Sequence, residues 1–276
     1  MTKLRRENHY LPVSYQRGFA DTSGKVWVKF ANEPNPVHRN PRSVGKRRDL
    51  YIWTQKGVAT DNVEQFFGNQ VESQFALLSQ RIKEEGSKFS IMSGVEQGVL
   101  CRFIAAQTTR TLAHKHCMEQ QAGTSVDTNT FVRVMLRQTH ALIENWRNRT
   151  PTIHFFTSLP LVGEHYVTGD SPVLAIQINE SRVWMPGDTP QESITNLTDI
   201  LSSPKHCFMI ALSPYICVSV QNWGDGQTHL PPTHVPPRDV QWSNDLVRTQ
   251  SREFVIALRK ESLPRHLFTR FVAKGA

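Results

Sequence analysis

No run of about 18 apolar residues occurs in the 276-residue chain, so no segment has the make-up of a bilayer-spanning helix. The opening MTKLRRENHY has basic residues with no apolar stretch behind them, unlike a secretory leader. A cytoplasmic protein with no membrane partner is the expectation. Cysteine is scarce. Cys101, Cys117, Cys207 and Cys217 form no CxxC pair and no zinc-ligand spacing, which argues against a zinc ribbon or a disulfide framework. Cys101 lies in an apolar helical run and Cys217 in an apolar strand-like run, where a thiol behaves as a small core residue. Internal repeats, low-complexity tracts and clustered acids of the DxD kind are also missing.

What is present is unevenly charged. The net charge is +8, and residues 1–48 hold eleven Lys and Arg against Glu7, Asp21 and Glu33, which accounts for all of it. The other 228 residues balance, with 21 bases and 21 acids. Positive charge gathered in one sixth of a chain favours a polyanionic partner such as nucleic acid, or an anionic ligand.

The periodicity predicts an α+β fold: two or three long helices packed on a mainly antiparallel sheet from the C-terminal half. GKVWVKF (24–30) and DLYIW (49–53) read as strands, and 32–48 reads as a basic loop rich in Pro, Asn and Arg. Helices are expected over about 62–85, 94–121 and 128–148. IHFFTS, HYVTG, PVLAIQI, HCFMIAL and YICVSV are β-rich runs, followed by a helix over 238–250 and a last strand in REFVIAL. One domain is expected, with a basic N-terminal part (1–60), a helical layer (61–150) and a β-rich part (151–276). Strands near 26 and 50 are expected close to the helical layer.

Four clusters carry possible chemistry. His9, with Tyr10, Tyr15 and Arg17, offers a group that moves protons near neutral pH beside a cation that holds phosphate. Glu64 and Glu72 lie eight residues apart on the first helix, about 80° apart around its axis. Gln107 and Arg110 share a face of the second helix, with His114 a turn further on. Arg110 leaves an apolar segment, so it needs a partner such as Glu72. Asp170 sits in the GDSP turn. HLPPTHVPPRD (229–239) brings His229 and His234 into a Pro-rich loop, a weak metal signal, and no metal ligand is assigned. Pro12 is expected to keep HYLPVSYQRGF (9–19) extended or turned, outside any regular helix.

Several of these motifs recur together. They are His9-Tyr10-x-Pro12 with Tyr15 and Phe19, a Tyr-bearing strand near 50, a Glu-rich first helix, Ala105-x-Gln107-x-x-Arg110-Thr111, Asp170-x-Pro172, and Leu212-Ser213-Pro214. The set resembles a bacterial family known as domain of unknown function forty-two thirty-eight, over roughly residues 7–260. Gln16 stands where that family usually has leucine, and GDSP where it usually has a Ser-Asp pair. The resemblance implies that His9, Glu72, Gln107, Arg110, Asp170 and Asn244 belong to one site, and it supplies no activity.

The expectation is an enzyme that cleaves phosphodiester bonds, a ribonuclease or nucleotide hydrolase, in the setting of bacterial phage defence or a toxin system. His9 is the general acid or base, Glu72 its partner, Arg110 the stabiliser of phosphorane charge, and Asp170 the group that orients His9. Gln107 and Asn244 position substrate. Arg17, Arg47 and Arg48, with Arg39, Arg42 and Lys46, track the backbone. No cofactor is assigned, and a divalent metal on Glu72 and Asp170 gives a metal-assisted variant. The alternative is a non-catalytic nucleic-acid or ligand-binding sensor module. A third reading makes the polar set a buried structural network with Glu72–Arg110 as its ion pair.

Overall fold

A short strand, β1 (Glu7–His9), opens the fold and pairs antiparallel with β4 (Lys46–Arg48), His9 lying opposite Lys46. The structure is a computed structural model, and it describes residues 4–85, 89, 93–149, 151–158, 164–177, 206–221 and 229–263. Pro12 is extended and a single helical turn, α1 (Val13–Gln16), starts directly after it. A 3-10 turn over Arg17–Phe19 follows. The opening motif is therefore partly helical, contrary to the expectation from Pro12. The ring lacks only an N–H that the first helical turn would leave unpaired, so proline can stand at a helix start.

The chain then forms β2 (Val26–Phe30), β3 (Val37–Arg39) and β4, so the expected basic loop holds two strands and a 3-10 turn at Pro41–Ser43. The strand expected at 49–53 is displaced. Asp49 turns with φ 56°, and the pairing strands are β5 (Trp53–Gln55) and β6 (Val58–Thr60).

The helix expected over 62–85 is three pieces: α2 (Asn62–Phe66), a π segment (Phe67–Glu72) and α3 (Ser73–Glu85). Gly86, its expected stop, lies outside the described residues. The helix expected over 94–121 breaks at Arg110 into α4 (Gly94–Thr109) and α5 (Leu112–Ala122). Thr111 caps α5 by accepting the His114 N–H, and Tyr51 donates its hydroxyl to the Arg110 carbonyl at 2.5 Å. A tertiary partner thus satisfies a carbonyl that a continuous helix would have used. α6 (Thr128–Arg149) forms as expected.

The C-terminal half is a five-stranded sheet ordered β12-β7-β11-β10-β9, with β7 (Thr152–Thr157), β9 (Val173–Gln177), β10 (His206–Ser213), β11 (Ile216–Gln221) and β12 (His229–His234). Every pairing is antiparallel except β12 with β7, so the Pro-rich segment expected as a loop is an edge strand. An edge tolerates proline because one row of its N–H groups needs no partner. β7 and β11 are buried at all six positions, so both faces are covered. Trp146 of α6 packs edge-on against Phe208 of β10 at 5.2 Å.

Strand β2 lies in a second sheet, ordered β3-β2-β13-β8, with β8 (Thr168–Gly169) and β13 (Phe254–Ala257). It pairs with β3 on one side and with β13 on the other, Phe30 opposite Phe254. The late helix, α7 (Pro237–Gln250), runs as expected. The class is α+β with helices of mixed length, and one buried apolar cluster runs from Tyr10 to Leu263. Among the described residues no helix is long and apolar enough to cross a membrane.

Candidate functional site

The opening motif is first a packing device. Tyr10, Leu11, Tyr15, Gln16 and Phe19 are all buried. Tyr15 donates to the Ala211 carbonyl at 2.6 Å and shares a 2.7 Å bond with Thr168 Oγ1, tying the motif to both sheets. Its ring meets Phe19, Phe75 and Phe103. Tyr10 donates to Glu253 Oε2 at 2.6 Å. Gln16 donates to the carbonyls of Leu11 and Val44 and so serves as a buried clamp.

His9 is the half-buried polar residue at the edge of this anchor. Its Nε2 lies 3.2 Å from the Arg42 carbonyl, which can only accept, so Nε2 carries the proton and Nδ1 is the basic nitrogen. Burial pulls the His9 pKa below its ordinary value, against the Arg42 hydrogen bond and the charge of Glu72. The imidazole is therefore neutral at pH 7 and feels a carboxylate.

Arg110 binds this edge from beneath. Its Nη1 donates to Glu72 Oε1 at 2.7 Å, its Nη2 donates to the His9 carbonyl, and its guanidinium lies over Phe67 (4.7 Å) and Tyr51 (5.6 Å). The Arg110 side chain is 0% exposed and that of Glu72 is 22% exposed. Burial acts against the guanidinium's charge, and Glu72, with Tyr51 and Glu64, outweighs it. Arg110 in the role of a phosphate contact is thus corrected: both terminal nitrogens are taken and no surface reaches it.

Glu64 joins the cluster. One of its carboxyl oxygens is buried without a partner, and burial pushes the group up to about 7 against the charge of Arg110. In a regular helix Glu64 and Glu72 would diverge by about 80°. A π turn absorbs about one extra residue, so eight residues turn like seven, and the two side chains come to within roughly 20°. The irregular turn thus brings two carboxyls toward one arginine. The eight-residue spacing was the available signal, while the π turn has no evident one.

The other expected members lie elsewhere. Gln107 is 1% exposed with neither amide atom partnered, on α4 between Phe103 and Arg110, so substrate does not reach it. Both Asp170 oxygens accept backbone N–H groups, from Arg252 at 2.9 and 3.2 Å and from Glu253 at 3.0 Å. The carboxyl is fully buried, and burial pushes it up to about 6. It caps the turn before β13, so its oxygens are spent on backbone N–H groups. Asn244 is likewise a clamp, accepting the Val167 N–H at 2.9 Å and donating to the His165 carbonyl at 2.8 Å. His114 turns to Gln138 of α6 at 2.7 Å. With Asp170 capped and Glu72 paired to Arg110, the two do not form the suggested metal pair. Among the described residues no group of three His, Cys, Asp or Glu is placed to hold a metal ion. His234 bonds Thr157 Oγ1 at 3.1 Å, and the His229 side chain lies outside the described residues.

The basic excess surrounds β1 and β4, and part of it is paired. Lys46 meets Glu7 at 2.8 Å, Arg47 meets Glu253 at 2.5 Å, and Arg48 meets Asp49 at 3.6 Å. Arg17, Arg39 and Arg42 are exposed.

These observations define a half-buried histidine at the end of a basic two-stranded ribbon, backed by a buried Glu-Arg-Glu cluster. Residues 7–261 match the family described as "Protein of unknown function (DUF4238)", and the chain belongs to that family. No curated protein and no solved structure matches the chain.

Proposed function

We propose that the protein cleaves phosphodiester bonds in nucleic acid by acid–base chemistry centred on His9. One observation carries the reading: the His9 Nε2–H is spent on the Arg42 carbonyl, which leaves Nδ1 as a base that is neutral at physiological pH. Nδ1 takes the proton of the attacking hydroxyl or water as that oxygen bonds to phosphorus, and the Glu72 charge favours the resulting imidazolium. The P–O bond to the leaving oxygen breaks, and that oxygen takes up a proton from solvent. Arg42, Arg39 and Arg17 attract the phosphate backbone. Lys46, Arg47 and Arg48 add to them by exchanging surface carboxylates for phosphates, because exposed ion pairs are weak.

The test is cleavage of a mixed RNA and DNA panel, with and without divalent metal, by the protein and by His9→Ala. Cleavage lost in His9→Ala at an unchanged melting temperature supports the proposal. Cleavage that survives in His9→Ala removes it.

A second reading, a non-catalytic nucleic-acid or ligand-binding module, is favoured by the burial of Arg110, Gln107, Asp170 and Asn244. It predicts salt-sensitive binding without turnover.

A further inference from the structure

Strands β2 and β3 place Trp27 directly opposite His38. Opposite residues of an antiparallel pair project from the same face, so the two rings meet, 4.8 Å apart and 17° from parallel. Val26 and Val28, which flank Trp27, point the other way into the core and are fully buried. Trp27 and His38 are half-buried on the outer side.

The stack is held at its edge. His38 Nε2 lies 2.8 Å from Asp21 Oδ2, off the line of a good hydrogen bond but within range of an ion pair. Asp21 is itself fixed by Ser23, whose N–H (2.9 Å) and hydroxyl (2.7 Å) donate to Oδ1. One face of the imidazole is against Trp27 and one edge against Asp21. The 29% of the His38 side chain left exposed therefore lies on its outer face and its remaining edge. Among the described residues no other ring touches it. Lys260 Nζ lies 5.9 Å from the centre of the Trp27 ring. Lys25, Arg39, Arg259 and Lys260 are exposed and have no ion-pair partner among the described residues, unlike Lys46, Arg47 and Arg48. The acids of the same segments are Asp21, set against His38, with Glu33 and Glu261.

We propose that the Trp27–His38 stack is a platform for an unpaired nucleobase, which makes single-stranded nucleic acid the ligand of this face. Nucleic acid as the partner rests on the reading above, and the platform adds the form that it must have. A base lying flat on the outer imidazole face extends the stack to three rings, with its phosphates among the unpaired cations. In a duplex the neighbouring bases cover both faces of each base, so only an unpaired one can be seated this way. Trp27 and Asp21 order the imidazole before the base arrives, which removes a cost of binding. Burial alone would need neither a carboxylate at the ring edge nor unpaired cations around it. The platform also lies near His9. β3 ends at Arg39, and the turn that follows carries Arg42, whose carbonyl holds His9 Nε2. Four residues of chain span at most about 14 Å, so one strand of a few nucleotides reaches from His38 to Arg42.

Fluorescence anisotropy of three labelled probes tests this: a single strand, the same strand paired to its complement, and a strand of equal length whose nucleotides lack bases. All forms of the protein carry His9→Ala, so that the strands stay intact. The single strand should bind at least about 10-fold more tightly than the duplex, and His38→Ala should weaken it about 5- to 100-fold, the contribution of one stacked base. His38→Ala should leave the affinity for the abasic strand unchanged, and His38→Phe, which restores a ring, should restore binding of the intact strand. An equal loss on the intact and abasic strands would trace the effect to charge or folding and overturn the proposal. Should His38→Ala fail to fold, His38→Phe is compared with His38→Leu, which keeps bulk without a ring, and equal affinity in those two overturns it. Strand and duplex bound equally, or no loss in His38→Ala, overturns the platform and leaves the nucleic-acid reading standing. Failure to bind any probe removes the two together.

Discussion

Arg110 and Glu72 meet at 2.7 Å across the contact between α4 and the π segment, with the arginine wholly out of solvent and the glutamate at its edge. Removing one partner leaves the other charge in a poorly solvated site. Arg110→Ala is therefore expected to cost about 3–5 kcal/mol, while Arg110→Met, which fills the space without a charge, costs less. Urea unfolding measures both. A midpoint unmoved in Arg110→Ala would place the arginine at the surface instead.

Tyr15 is a second anchor of different kind, and its two hydrogen bonds are buried. Tyr15→Phe strands the Ala211 carbonyl and the Thr168 hydroxyl, at about 1–3 kcal/mol. Tyr15→Ala adds a cavity, at about 3–5 kcal/mol. His9→Ala should leave the thermal midpoint nearly unchanged, because its ring is half exposed and its backbone contacts survive. A His9→Ala drop as large as that of Tyr15→Ala would make His9 another packing residue.

The carboxyl of Glu64 sets a direction for stability against pH. Its folded-state value, about 7, lies above the ordinary 4.5, so the folded chain binds its proton more tightly than the unfolded chain does. That contribution is complete below about pH 4.5 and is lost as pH rises through about 7. Glu64→Gln should remove this fall and be relatively more stable at pH 8 than at pH 5. Denaturant titrations at the two values decide it, and parallel curves for both proteins would contradict it.

Gly45 closes the β1–β4 ribbon in a conformation that costs other residues energy, with φ +66°. A Cβ there would lie 2.7 Å from the Leu11 Cβ. Gly45→Ala should destabilise by more than about 1 kcal/mol, since both the backbone and the space oppose it. A melting curve that coincides with the unmodified protein would show that the ribbon yields.

Nucleic-acid binding, if the basic rim supports it, should weaken with salt at a logarithmic slope of about −0.7 for each single-strand phosphate neutralised. Arg42→Ala is expected to reduce that slope by about one such step, and Arg47→Ala by less, because Glu253 already holds Arg47. Fluorescence titration at several salt concentrations reads the slope. A slope near zero would remove nucleic acid as the partner.

Local pattern alone determined a good part of this protein. Apolar spacing located α6, α7, β2, β10 and β11, because each buries a contiguous face or run that any packing must cover. The need for a partner made Arg110 and Glu72 legible as a pair, since an arginine leaving an apolar helix segment has few alternatives. Tertiary contacts decided the rest. The break at Arg110 depends on a Tyr51 hydroxyl 59 residues away, and β2 depends on a last strand more than 220 positions later. The roles of Gln107, Asp170 and Asn244 turned on burial and on which backbone groups lay nearby, and residue type does not encode either. The convergence of Glu64 with Glu72 came from a π turn, whose one-residue offset is paid for by packing at Phe67 and Val71 and leaves the hydrophobic pattern of the helix unaltered.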